Sequence, residues 1–244
     1  MSRKYALITG GACRLGREIA LDLAKNGYDI LLFFHKSNPQ QTVCDVRKYG
    51  VDCEAFNFNL FDYDKISLLI ENINNQGFFG GGSGVLVNNA SVFRRCLPEN
   101  TTASVLDETF RVNLFAPYQL SCAFARYALP GSSVVNIADS KAAKNGTAYS
   151  AYVLSKKSLI DMTLQFAAAF APKIRVNAVC PGSLFPSVGE TDEKFKMRAM
   201  KAPMKNAGSM EEVCSMIRFL HESSWLTGQI LYADGGMHIS TGEL

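Results

Sequence analysis

YALITGGACRLGREIALDL, residues 5–23, passes from an apolar run through a glycine turn into a helical pattern. The run from Tyr5 to Ile8 predicts a short buried strand that breaks at Thr9-Gly10-Gly11. Beyond it, Leu15, Ile19 and Leu23 share one helix face. Strand, glycine turn and helix together aim backbone N–H groups and a helix N-terminus at a phosphate. The glycine spacing is unusual. Gly10, Gly11 and Gly16 are present, but G-x-G-x-x-G cannot be read, and Arg14 stands where a nucleotide loop often carries glycine.

The same alternation continues outward from this unit. Apolar runs at 29–34, 52–58, 85–88, 133–138, 174–179 and 229–232 predict further strands. Helical patterns lie between them: a polar segment up to Gly50, then 63–73, one long helix over 101–129, another over 147–171, and 211–220. The glycine-rich stretch 77–84 reads as a flexible surface loop, and 183–205 is polar and weakly patterned. Strands alternating with helices imply an α/β chain with one parallel sheet covered on both faces. In such sheets ligands bind outside the carboxyl ends of the strands. The polar clusters fall there: Thr9 to Gly16, His35 to Ser37, Asn59-Leu60, Asn88 to Phe93, Ala138 to Ser140 and Pro181 to Ser183.

Composition narrows the class. At 244 residues, 48% hydrophobic and 19% charged, the chain suits one large globular domain. A net charge of +3 without a basic run argues against nucleic acid as a partner. No apolar run approaches a membrane span, and the first strand begins too early to leave room for a signal peptide. Seven scattered cysteines without a C-x-x-C pair fit buried, reduced thiols in a cytoplasmic protein, and the three histidines lack metal-ligand spacing. No metal site is expected.

Tyr152 and Lys156, four apart on a helix, project from one face. A tyrosine near pKa 10 exchanges protons poorly at neutral pH; a neighbouring ammonium favours the phenolate and lowers that value. That makes Tyr152 a candidate general acid. Alone, Y-x-x-x-K is a weak signal, since such a pair is usually an aromatic edge and a solvated charge. Asp139, thirteen residues upstream at a strand end, adds context.

Taken together, Thr9-Gly10 with Gly16, Asn88-Asn89-Ala90, Asn113, Tyr152-x-x-x-Lys156, Pro181-Gly182 and Asp234-Gly235-Gly236 resemble the short-chain dehydrogenase/reductase family over essentially the whole chain. The resemblance implies a single-domain Rossmann-type doubly wound parallel sheet of about seven strands. It also implies nicotinamide-dependent hydride transfer, with Tyr152 as acid/base, Lys156 holding the ribose and tuning Tyr152, and Asn113 in a proton relay. The cofactor residues it implies are Gly10, Arg14, Leu15, Gly16, His35, Lys36, Ser37, Asn59, Leu60, Asn89, Ala90, Ser91, Tyr152, Lys156, Pro181, Gly182 and Ser183. The family's usual assembly is a homotetramer through its two long helices.

Three departures narrow the subgroup. Asp139 replaces the usual catalytic serine, Arg14 replaces the middle glycine, and Ser91 with Phe93 follows Asn88-Asn89-Ala90 where glycine is usual. This combination resembles the pteridine reductases and the related bacterial dihydromonapterin/dihydrofolate reductases. Reducing a pterin C=N bond requires protonating a ring nitrogen, which an Asp139–Tyr152 pair suits better than a serine. The resemblance makes Arg14, Ser91, Phe93, Asp139 and Tyr152 the substrate contacts, with Phe93 as one wall of a slot for a flat pterin or folate. The plainer readings stand beside these: Phe93 as a core aromatic, Asp139 as the cap of a turn, Asn113 as a local backbone anchor.

The cofactor choice follows from charge. An NAD enzyme usually places an acidic residue after the second strand; here stand His35, Lys36 and Ser37, with Arg14 close by. Cations and a hydroxyl with no carboxylate suit a 2′-phosphate, so NADPH is expected. Asn59 occupies the position where an aspartate commonly meets the adenine. Segment 183–205 is the expected substrate-covering loop, with Glu190, Asp192, Lys194, Lys196 and Arg198 read as a solvated helix face. Met162, Phe166 and Phe170 read as core or subunit interface. The competing functions are a carbonyl reductase of 3-oxoacyl, sugar or steroid type, and a catalytically silent NADP-binding protein.

Overall fold

The computed structural model describes residues 4–187 and 189–240. The strands are β1 (Lys4–Thr9), β2 (Tyr28–Phe34), β3 (Cys53–Asn57), β4 (Gly84–Asn88), β5 (Ser133–Ile137), β6 (Arg175–Pro181) and β7 (Ile230–Ala233). Between them run α1 (Arg14–Lys25), α2 (Gln40–Arg47), α3 (Ile66–Asn75), α4 (Ala103–Phe110), α5 (Ala116–Tyr127), α6 (Ser150–Phe170), α7 (Asp192–Ala199) and α8 (Met210–Glu222). All strand pairs are parallel, in one sheet ordered β3-β2-β1-β4-β5-β6-β7. The order reverses direction at β1 and β4, so the carboxyl ends of those strands open the crevice where ligands bind in such sheets.

Side-chain alternation divides the core into two. Tyr5 and Leu7 of β1, Leu31 and Phe33 of β2, and Leu86 of β4 join the residues of α3, α5 and α6 on one face. Ala6 and Ile8, Ile30 and Leu32, Val85 and Val87 join those of α1 and α8 on the other. With both faces buried, these strands read as unbroken apolar runs, as a parallel sheet under two helical layers requires.

Three expectations are corrected. Segment 77–84 is not a bare surface loop: Phe78–Gly80 forms a 3-10 turn, and Phe79, 1% exposed, packs edge-on against Tyr5 and Phe124. Its glycines had hidden two core aromatics. The single helix expected over 101–129 is two, α4 and α5, joined by a π-helical turn, Arg111–Phe115, that carries Asn113. The cysteines are free but not uniformly buried: Cys13 and Cys44 are exposed. Met162 and Phe166 lie in the core, with Phe170 packed against it. Among the described residues no helix is long and apolar enough to cross a membrane, and no cluster of metal-ligating side chains occurs.

Candidate active site

Asp139 stands two residues past the end of β5 and caps the 3-10 turn Ser140–Ala143. Its two carboxylate oxygens have separate tasks. Oδ1 accepts the Lys141 backbone N–H at 2.7 Å, and Oδ2 accepts the Tyr152 hydroxyl at 2.7 Å. Asp139 thus caps the turn with one oxygen and meets Tyr152 with the other. Tyr152 lies in the first turn of α6 and is 6% exposed; Lys156, one turn further on, is 2% exposed. The Lys156 ammonium donates to the Ile137 carbonyl at 2.7 Å and stands 5.8 Å from the Tyr152 ring centre.

The electrostatics correct one expectation. Burial, followed by the Asp139 charge and hydrogen bond, holds the Tyr152 phenol well above its ordinary value instead of lowering it. Burial also lowers Lys156 to about 8, against an opposing pull from Asp139. Tyr152 is thus a firmly protonated donor, and Lys156 sits close to its titration point. The loss of water around two groups four residues apart outweighs the attraction that their spacing suggested. Behind them, burial pushes the Cys180 thiol up to about 12, so it stays neutral.

Asn113 is fully buried, and its amide is saturated. Oδ1 accepts from Val92 N at 2.8 Å and Ser91 Oγ at 3.2 Å, while Nδ2 donates to Val92 O and Ser155 Oγ at 3.0 Å each. The side chain ties the loop after β4 to α6, one residue from Lys156, through partners distant in the chain instead of the local backbone. The π turn supplies the extra backbone residue that aims it inward.

That loop presents Phe93, whose ring is 43% exposed at the cleft. It stacks on Tyr149 at 4.4 Å and 15° and meets the Tyr152 ring edge-on at 4.7 Å. Phe93 is therefore no core residue. Tyr149, Lys141 and Arg198 also line the cleft and were missed in the sequence. Tyr149, three residues before Tyr152, stands at the N-cap of α6 and not on its helical face.

The whole cleft, about 1400 Å³, runs along the carboxyl ends of β1, β2, β4, β5 and β6. Gly10, Arg14, Leu15, Gly16, His35, Lys36, Ser37, Asn59, Leu60, Asn89, Ala90, Ser91, Pro181 and Gly182 all border it; Asn113 and Ser183 are not among its lining residues. The glycine turn is fixed from beneath. Thr9 Oγ1 accepts from the backbone of Asn89 and Ala90, and Asn89 Nδ2 donates to Thr9 O at 2.9 Å. A Cβ on Gly16 would lie 2.1 Å from Gly10 O, so only glycine lets α1 approach the turn this closely. Asn59 turns its Oδ1 onto its own loop, accepting Phe61 N at 3.1 Å.

Arg14 keeps the left-handed backbone of the glycine it replaces, φ +49°. That conformation costs a non-glycine residue about 1 kcal/mol. Its guanidinium lies 5.4 Å from the Phe185 ring. Cys13 Sγ and Ser37 Oγ are 3.5 Å apart, which joins the turn to the segment after β2. Among the described residues neither Arg14 nor Lys36 is ion-paired. Two free cations beside a hydroxyl and a glycine cradle form a donor set that fits a phosphorylated dinucleotide.

The segment after β6 corrects another expectation. Glu190 and Arg198 are not a solvated face: Arg198 clamps Glu190 at 2.8 and 2.9 Å and donates to Ser183 Oγ at 2.7 Å. This pairing holds the Glu190 carboxyl down at about 2. Ser183 is thereby engaged by α7.

The family model described as "Enoyl-(Acyl carrier protein) reductase" matches residues 11–238. The chain is 30% identical over 244 residues to the 3-oxoacyl-[acyl-carrier-protein] reductase FabG of Thermotoga maritima, covering 97% of this chain and 98% of that one. It is 29% identical over 250 residues to the uncharacterized oxidoreductase YhdF of Bacillus subtilis, covering 98% and 84%. Among solved structures, FolM alternative dihydrofolate reductase 1 from Brucella canis, complexed with NADP, superposes with a TM-score of 0.91 at 28% identity, covering 99% of this chain and 96% of that one. Its Brucella suis counterpart, also with NADP, gives 0.89 at 30% identity, covering 98% and 96%.

Proposed function

The chain belongs to the short-chain dehydrogenase/reductase family, and from that premise we propose that it is an NADPH-dependent reductase acting on the C=N bond of a dihydropterin or dihydrofolate. The observation that carries the reading is the Asp139–Tyr152 hydrogen bond of 2.7 Å at the position where the family usually has serine. A serine hydroxyl donates to a carbonyl oxygen. A carboxylate instead accepts from the N–H edge of an aminopteridine while leaving Tyr152 its proton.

NADPH, when bound, supplies the hydride. The glycine turn with Arg14, and His35, Lys36 and Ser37 after β2, would hold its phosphates, and Lys156 its ribose. The exposed ring of Phe93, backed by Tyr149, gives a flat heterocycle a surface to stack on. Tyr152 holds the proton destined for the ring nitrogen, and its burial, with the Asp139 charge beside it, keeps the phenol protonated until the substrate arrives.

A carbonyl reductase of 3-oxoacyl type is the second reading, favoured by the 3-oxoacyl reductases among the sequence relatives. NADPH oxidation against dihydromonapterin, dihydrobiopterin, dihydrofolate and a set of ketones decides between them. Turnover of the pterins over the ketones supports the proposal. Reduction of ketones with indifference to pterins overturns it.

A further inference from the structure

We propose that Lys141 is a positioning residue for the Asp139–Tyr152 pair, its ammonium offsetting the negative charge that the pair carries once its proton has left. Lys141 engages Asp139 twice. Its backbone N–H donates to Oδ1 at 2.7 Å, and its ammonium lies 3.8 Å from the same oxygen. Both contacts fall on Oδ1, which leaves Oδ2 to Tyr152. The same ammonium lies 5.6 Å from the Phe93 ring centre and 6.0 Å from that of Tyr149. One cation thus bridges the carboxylate and the stacked aromatic wall, and it does so on the cleft surface.

The need for such a cation follows from charge balance. This inference rests on the reading of Asp139 and Tyr152 as the proton-delivering pair. When Tyr152 gives its proton to the substrate nitrogen, the O–H bond breaks, its electron pair stays on the phenolate oxygen, and an N–H bond forms. A phenolate then stands against a carboxylate until water entering the cleft returns a proton. Two adjacent anions in a buried site require cations beside them. The groups facing Asp139 are Tyr152 and Lys156 from α6, Cys180 from β6, Lys141 from the turn after β5, and Arg198 from α7. The Cys180 thiol is neutral, the Lys156 ammonium donates to the Ile137 carbonyl and not to Asp139, and Arg198 is already paired with Glu190. Lys141 is the remaining cation, and Asp139 is its ion-pair partner.

The test compares Lys141→Met and Lys141→Arg with the unaltered protein, using whichever substrate the latter reduces, dihydropterin or ketone. Lys141→Met is expected to lower kcat about tenfold and to move the higher alkaline limb of kcat/KM, the one that follows Tyr152 and lies above that of Lys156, upward by about one pH unit, since an acid without its neighbouring cation holds its proton longer. Lys141→Arg is expected to restore both. A second readout needs no turnover. In 13C-ring-labelled tyrosine spectra at pH 7, the resonance identified by its absence in Tyr152→Phe should shift in Lys141→Met and return in Lys141→Arg. Lys141→Gln repeats the comparison if the methionine variant folds poorly. An unmoved pH limb and an unmoved Tyr152 resonance would overturn the proposal. Indifference of the unaltered protein to pterins, with ketones reduced, would instead count against the substrate reading and leave the Lys141 comparison intact.

Discussion

Asp139 concentrates the chemistry at the scale of single residues. Its Oδ2 fixes the Tyr152 hydroxyl at 2.7 Å, so removing either partner strands the other in a buried site. Tyr152→Phe is expected to lower kcat at least a hundredfold, the usual contribution of a placed general acid, while NADPH still quenches protein fluorescence. An active phenylalanine variant would sink the proton-transfer account. Lys156 titrates near 8 in the folded protein, lower than its unfolded value. Its ammonium is therefore present below about pH 8 and lost as pH rises through it. NADPH affinity should weaken between pH 7 and 9 in the unaltered protein and stay flat in Lys156→Met, measured by fluorescence titration. Arg14 was legible as an anomaly from the glycine pattern alone; its left-handed backbone and its contact with Phe185 required three dimensions.

At the scale of elements, the glycine turn and the π turn carry the site. Gly16 leaves 2.1 Å for a Cβ against the Gly10 carbonyl, so Gly16→Ala must push α1 from the turn. The expected loss is about 1–3 kcal/mol in chemical denaturation, with a larger loss of NADPH affinity because the turn itself shifts. Asn113→Ala removes four hydrogen bonds that join the loop after β4 to α6. Unfolding by urea is expected to show about 2–4 kcal/mol less stability, at about 1 kcal/mol for each bond. Hydrogen exchange should rise in the loop containing Phe93 before it rises elsewhere; uniform exchange would contradict this anchoring role. Periodicity made the strands and most helices readable. It did not reveal the π turn, because one extra residue in a helix scarcely disturbs an apolar pattern. Nor did it reveal the buried Phe79, whose surrounding glycines imitate a flexible loop.

For the whole molecule, the sheet keeps ligand chemistry at one end and a pH-sensitive stability element at the other. His221 of α8 is buried against Ser133, with its Nδ1 2.7 Å from Ser133 Oγ, and burial lowers its pKa to about 4. Arg175 and Lys4 add repulsion, and the Tyr28 ring packs edge-on against the imidazole. Because the folded value lies below the unfolded 6.5, the unfolded chain takes up the proton first. Stability is full above about pH 6.5 and falls as pH drops toward 4, by up to about 3 kcal/mol. His221→Gln should remove that slope in denaturation curves at pH 7 and 4.5; an unchanged slope would assign the acid sensitivity elsewhere. This element was invisible in the sequence, since a lone histidine in a helix carries no sign of what covers it. The alignment of Asp139, Tyr152 and Lys156, by contrast, was legible because Asp139 stands by a strand end and the other two are four apart on one helix. The charge that carries the substrate reading, Asp139 in place of serine, is also the most direct point of attack. The decisive measurement is NADPH oxidation by the unaltered protein and by Asp139→Ser with dihydromonapterin, dihydrofolate and a 3-oxoacyl thioester. The expected result is pterin turnover that falls at least tenfold in Asp139→Ser, about the scale of one misplaced proton donor. Equal pterin turnover by both proteins, or reduction of the thioester alone, would contradict it.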